Sequence, residues 1–218
     1  MSQKLKLGVL ASGSGTNLQS IIDACMSGSI DAEVALVISN NPGAGALQRA
    51  DEAGLPSTCI NHRDYSSREQ FDREVVGALA NAGVELVCLA GFMRLITEDF
   101  LAAFPGRVIN IHPALLPAFP GLDVQRKAIE YGARFSGCTV HFVDGGVDTG
   151  PVIIQAVVPI LDDDTPDTLA ARILVQEHKV YPRAIQLFAE GRLRIEERRV
   201  RISDAADETA ALINPPLG

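Results

Sequence analysis

Leu86-Val87-Cys88-Leu89-Ala90 is apolar without a break, and this stretch decides the fold class. A strand with one wet face alternates apolar and polar residues. A strand covered on both faces does not, and such strands belong to parallel sheets packed under helices. Working outward, short β-rich runs recur at Leu5–Ala11, Glu33–Ser39, Ser57–Asn61 and Val108–His112, and later at Cys138–Val143 and Val152–Val158. Helical patterns fill the gaps at Asn17–Met26, Ala44–Ala53, Arg68–Ala82, Glu98–Phe104 and Val124–Tyr131. This repetition predicts an α/β fold: a mostly parallel twisted sheet of Rossmann-like kind with helices on both faces, and an antiparallel strand toward the C-terminal part.

The punctuation agrees. Gly28, Gly54 and Gly83 each follow a helical pattern, where the chain commonly needs positive φ. Thr97 before Glu98 and Asp99 reads as an N-cap with acids in the first turn. Thr165-Pro166 opens the longest helix, which runs to about Glu190 and stops at Gly191. Asp162-Asp163-Asp164 ahead of it reads as a solvated acidic turn. Arg192, Arg194, Arg198, Arg199 and Arg201, interrupted by Glu196 and Glu197, read as an exposed charged strand pair. Residues 1–218 read as one domain, with an N-terminal half over about 1–100, a C-terminal half over about 101–202 and a tail at 203–218.

The chain of 218 residues carries 19 Lys+Arg against 27 Asp+Glu, a net charge of −8, with 47% hydrophobic and 21% charged residues. That is globular composition, and its sign argues against nucleic acid or an anionic membrane as partner. Leu7–Ala11 is too short for a signal peptide, and no run approaches the roughly 20 apolar residues of a membrane span. Cys25, Cys59, Cys88 and Cys138 form no Cys-x-x-Cys pair and read as buried, reduced thiols of a cytoplasmic protein. A homodimer is left open.

Ser12-Gly13-Ser14-Gly15-Thr16-Asn17 joins the first strand to the first helix. Its glycines let the backbone approach a ligand, and amides at a helix N-terminus favour an anion. The dinucleotide fingerprint fails at Leu18, and Ser39-Asn40-Asn41 supplies no acid for a ribose diol. A Walker sequence is absent too. A site for a single phosphate remains, beside the alternative of a plain strand–helix turn. Further on, Asn110 and His112 share one face of the strand Val108–His112, close to its carboxyl end, where open α/β sheets bind ligands. The stiff, apolar Ala114–Gly121 follows and is suited to walling a pocket. Asp148 lies in the glycine-rich segment Asp144–Pro151, as turn-former or as functional carboxylate. Were Asp148 to reach His112, it would stabilise the imidazolium and move protons, while Asn110 and His112 held a developing oxyanion. Neither a Ser nor a Cys nucleophile motif is evident. The residues His62, His112, His141 and His178 lack ligand-like spacing, so no metal is expected.

Taken in order and spacing, Ser12–Leu18, Leu89-Ala90-Gly91-Phe92-Met93-Arg94, Asn110–Pro117 and Gly146–Pro151 resemble the phosphoribosylglycinamide formyltransferase family. The resemblance runs from Leu7 to about Arg194. It implies transfer of a formyl group from 10-formyltetrahydrofolate to glycinamide ribonucleotide in purine biosynthesis, with small molecules as the partners. It further implies that Gly15, Thr16 and Asn17 bind the ribonucleotide phosphate and that Glu177 contacts its ribose or amine end. Arg68, Met93, Arg94, Leu95, Ile96, Asn110, Asp144, Val147 and Asp148 would bind the folate, and Asn110, His112 and Asp148 would be the catalytic triplet. Related formyltetrahydrofolate hydrolases usually carry an extra N-terminal domain and transfer-RNA formyltransferases an extra C-terminal one. The elements expected here, from about Leu5 to about Glu190, leave room for neither.

Overall fold

The computed structural model describes residues 4–204, 212 and 214. The main sheet holds β1 (Leu5–Ala11), β2 (Ala32–Ser39), β3 (Ser57–Cys59), β4 (Leu86–Leu89), β5 (Val108–His112), β6 (Phe135–Phe142) and β7 (Val152–Pro159), in the order β3-β2-β1-β4-β5-β6-β7. The pairs from β3 to β5 are parallel. β6 runs antiparallel to both β5 and β7, so it is the reversed strand expected toward the C-terminal part. β4 is the central strand, as its unbroken apolar sequence requires.

Strand alternation divides the core into two layers. On one face Leu7, Val9 and Ala11 of β1, Cys88 of β4, and Ile109 and Ile111 of β5 pack under α1 (Thr16–Ser27), α2 (Gly45–Glu52), α5 (Val124–Tyr131) and α6 (Pro166–Ala189). On the other, Leu10, Val87, Leu89 and Val108 pack under α3 (Arg68–Asn81) and α4 (Glu98–Ala103). Asn110 and His112 continue the Val108 row on this second face, past the point where the apolar layer ends.

The helix ends follow the expected chemistry. Gly28, Gly54, Gly83 and Gly191 all have positive φ. The Thr97 hydroxyl accepts from the Phe100 amide at 3.3 Å. Thr165 and Thr168 form a capping box at the start of α6, with Pro166 in the first turn. The Arg-rich segment is a separate antiparallel hairpin of β8 (Leu193–Glu196) and β9 (Arg199–Ile202), mostly exposed.

The structure departs from expectation at β6, at two of the cysteines and at Asp164. β6 starts at Phe135 rather than Cys138, because Ser136 and Gly137 break the apolar run. A side chain at Gly137 would meet the Ala156 carbonyl of β7, so glycine there is a packing requirement and not a strand end. Cys59 is exposed on the edge strand β3 and Cys25 is half-buried; only Cys88 and Cys138 are buried. Burial pushes the Cys25 thiol up to about 11 and the Cys138 thiol up to about 12. Finally, Asp164 is not a solvated acid: Arg172 grips both its oxygens, at 2.6 and 2.8 Å. Most of the expected tail lies outside the described residues. Among those that are described, no helix is long and apolar enough to cross a membrane.

Candidate active site

From β1 the chain runs outward through β2 and β3, then returns to β4 on the other side of β1. β1 and β4 therefore flank a topological switch point, where the loops after the two strands diverge and leave a crevice. The Ser12 amide, just past β1, donates to the Gly91 carbonyl, just past β4, at 3.0 Å. Next to this seam lies a cavity of about 970 Å³ at the carboxyl edge of the sheet. Its lining takes in Arg68, Met93, Arg94, Leu95, Ile96, Asn110, His112, Asp144, Val147 and Asp148, brought together from α3, the loop after β4, β5 and the loop after β6. Gly15, Thr16, Asn17 and Glu177 do not line it. The Ala114–Gly121 segment contributes only its end, Gly121, to the cavity, and so walls it less than expected.

His112 is 5% exposed, and both its ring nitrogens face oxygen. Nε2 stands 2.9 Å from the Phe119 carbonyl and Nδ1 stands 3.4 Å from Asp148 Oδ2. A carbonyl oxygen only accepts, so Nε2 donates to Phe119, while Nδ1 faces the Asp148 carboxylate at ion-pair distance. Asp148 reaches it from a left-handed backbone conformation, φ 53°, and its Oδ2 also accepts from the Gly121 amide at 2.9 Å. That amide bond ties the loop after β6 to the end of the proline-rich segment.

Sequence reasoning gave His141 no role, yet it completes this cluster. It pairs directly with Asn110 across the β5–β6 ladder, and its ring is almost fully buried. Nδ1 donates to the Phe142 carbonyl at 2.8 Å, leaving Nε2 to accept from Asn110 Nδ2 at 3.2 Å. Burial pushes the His141 imidazole below its ordinary pKa, which keeps it neutral for that role; Asp148 and the Phe142 carbonyl pull the other way. The contact fixes which way the Asn110 amide points. One N–H of Asn110 Nδ2 is then free for a ligand oxygen. Strand pairing was the missing signal, because a sequence does not show which residue stands opposite Asn110.

The glycine loop has the geometry of an anion site. Gly15 is the N-cap of α1, with φ 73°, and no side chain caps the helix. A Cβ at Gly15 would stand 2.7 Å from Ala46 Cα, so α2 also demands glycine there. The first-turn amides of α1 have no intrahelical acceptor. Asn17, by contrast, spends its side chain inside the protein, with Nδ2 donating to Glu177 Oε2 at 2.7 Å. Glu177 lies on α6, is 6% exposed, and its carboxyl is pushed above the usual range by burial, against the pull of the Asn17 bond. Among the described residues, Asn17 Oδ1 is buried without a partner.

Comparison with known proteins accords with this geometry. Residues 5–185 match the formyl transferase family. Phosphoribosylglycinamide formyltransferase of Escherichia coli is 44% identical over 193 residues, 88% of this chain and 91% of that protein. The trifunctional purine biosynthetic protein adenosine-3 of Drosophila melanogaster is 53% identical over 194 residues, and there the match spans only 14% of the relative's length. Among solved structures, glycinamide ribonucleotide transformylase 1 from Symbiobacterium toebii superposes with a TM-score of 0.92 at 54% identity, covering 94% of this chain and 96% of that one. A formyltetrahydrofolate deformylase from Pseudomonas syringae shares the fold, with a TM-score of 0.86 at 24% identity, and this chain covers 67% of it. The chain belongs to the formyl transferase family, among the phosphoribosylglycinamide formyltransferases.

Proposed function

We propose that the protein transfers the formyl group of 10-formyltetrahydrofolate to the amine of glycinamide ribonucleotide. The convergence of Asn110, His112 and Asp148 at one end of a cavity sized for a large ligand carries the reading. Phe92, Ile96 and Val143 give the cavity the apolar wall a pterin needs, and Arg68 and Arg94 give it the cations that folate carboxylates need. The ribonucleotide phosphate sits on the amides of Gly15, Thr16 and Asn17, with Glu177 near its ribose or amine end. Those residues belong to α1 and α6, on the opposite side of the sheet from α3 and α4. The two substrates thus reach the triplet from different sides of the sheet edge.

The substrate amine attacks the formyl carbon directly, because no side-chain nucleophile stands among the triplet. Electron density moves to the formyl oxygen, which takes the free N–H of Asn110 and lies near the imidazolium of His112. The attacking nitrogen now bears an extra proton, and Asp148, the carboxylate 3.4 Å from His112, is the base that accepts it. The bond from the formyl carbon to the folate nitrogen breaks, and that nitrogen takes up a proton relayed through water. One C–N bond forms, one breaks, and the proton is conserved.

Incubation with both substrates should consume formylfolate, and omitting the ribonucleotide should stop the reaction. Turnover without the ribonucleotide would mark a hydrolase instead.

A further inference from the structure

Ser12 lies in the glycine loop proposed for the ribonucleotide phosphate, yet its side chain points to the other substrate. Its hydroxyl accepts from the Met93 amide at 2.8 Å and donates to Asn40 Oδ1 at 2.6 Å. The direction is settled by chemistry. A backbone N–H can only donate, so the single hydroxyl proton goes to Asn40 and a lone pair faces Met93. Asn40 is buried and borders His62, whose Nδ1 lies 3.2 Å from Asn40 Nδ2 and 3.1 Å from the Asn40 backbone carbonyl.

Met93 belongs to the irregular segment between β4 and α4, which lines the cavity. Within it Phe92 and Ile96 pack against the core and Arg94 lies over the Phe71 ring, while Met93 and Leu95 are 66% and 55% exposed. Its backbone is also hydrogen-bonded from outside at its two ends. Ser12 holds the start, through the Gly91 carbonyl and the Met93 amide. Buried Asp72 of α3 holds the finish, accepting from the Thr97 amide at 2.7 Å.

We infer that Ser12 is a positioning residue for the folate-side wall of the cavity and not part of the phosphate site, an inference that rests on the formyl-transfer reading. Its hydroxyl sets where the Gly91–Ile96 backbone meets the folate, across the seam between β1 and β4.

The test is Ser12→Ala, with Ser12→Thr as the variant that keeps the hydroxyl and Asn40→Ala as one that removes its acceptor outside the glycine loop. Losing one such bond is worth on the order of 3- to 10-fold. Ser12→Ala and Asn40→Ala should raise the KM for formylfolate by about that factor. The ribonucleotide KM should stay within about twofold and kcat should change little, and Ser12→Thr should restore the folate KM. Hydrogen exchange should show the Met93 amide losing protection in both alanine variants, a readout independent of activity. An equal or larger rise in the ribonucleotide KM, or an unchanged Met93 amide, would overturn the inference. Wild-type protein that fails to consume both substrates would instead overturn the functional reading, and Met93 exchange would still report on Ser12.

Discussion

Asp148→Asn isolates the charge of Asp148 from its shape. The backbone at Asp148 has φ 53°, and asparagine is among the residues that tolerate this conformation best. The asparagine carbonyl oxygen can still accept from the Gly121 amide, so the tie between the two loops survives. What is lost is a proton acceptor and a negative charge 3.4 Å from His112 Nδ1. Positioned acid–base groups contribute about 10² to 10⁴ in rate. The Asp148 side chain is 14% exposed and already shares an oxygen with Gly121, which places the expectation mid-range. The expected fall in kcat is about 10³-fold, roughly 4 kcal/mol of transition-state stabilisation. The assay is steady-state loss of formylfolate at saturating ribonucleotide, beside thermal unfolding of the same preparation. Asp148→Ala is the internal control. It loses the same chemistry but adds a left-handed cost of about 1 kcal/mol, which in a chain of this size lowers Tm by roughly 2–4 °C more than Asp148→Asn. A folded Asp148→Asn protein with kcat within tenfold of wild type would refute the role given to this carboxylate.

Three further outcomes follow from the packing. Burial raises the Glu177 carboxyl above the usual value of 4.5, so its contribution to stability is full below that pH and is lost as pH rises through the shifted value. Glu177→Gln keeps an acceptor for Asn17 and should melt at or above wild type at pH 7 while raising the ribonucleotide KM; a lower Tm would contradict the buried charge. Gly15→Ala should cost roughly 2–5 kcal/mol, from its left-handed backbone and its clash with Ala46, measured by urea unfolding; a cost under about 1 kcal/mol would mean α2 gives way freely. Arg172 holds the Asp164 carboxyl well below the usual range near 3.8, so this contribution is present above that value and is lost as pH falls through the depressed one. Arg172→Ala should therefore cost about 1–3 kcal/mol at pH 7 and progressively less in strong acid, read by denaturant titration at each pH; a pH-independent cost would show that packing, not charge, is what Arg172 supplies.

What could be read from sequence was local, and what could not depended on pairing. The ends of β5 and α5 come out residue for residue because a two-residue alternation and a helical stripe are written in neighbouring positions. Asn110 and His112 sharing a face is the same kind of fact. His141 is different: it matters because the β5–β6 register puts it opposite Asn110, 31 residues away in the chain. The Asn17–Glu177 contact spans 160 residues, and only the family resemblance pointed to Glu177. Ser12 shows a subtler limit. Its place in a glycine loop suggested the phosphate, but a strand end has two neighbouring loops, and only the packed structure tells which one a side chain serves.

The net charge of −8 poses a physical problem for a protein proposed to bind two anions, and the cavity sharpens it. Its lining has two cations, Arg68 and Arg94, against six carboxylates, Glu69, Glu98, Asp99, Asp123, Asp144 and Asp148. No attractive field draws the ligand in, so binding must come from where charges sit and not from their sum. Arg94 is pinned for this: its guanidinium lies 5.2 Å from the centre of the Phe71 ring, and its Nε is buried without a partner among the described residues. A carboxylate meeting Arg94 finds a donor whose ordering cost is already met, whereas exposed Arg68 would still have to be ordered. At the other end, Asp144 and Asp148 would repel that carboxylate but accept from the N–H groups of a pterin. A folate is polarised in the same sense, with donors on its ring and anions on its tail. The acidic lining therefore does more than tolerate the ligand. On the proposed reading it disfavours the reversed orientation, and the orientation it admits would bring the formyl group to Asn110 and His112.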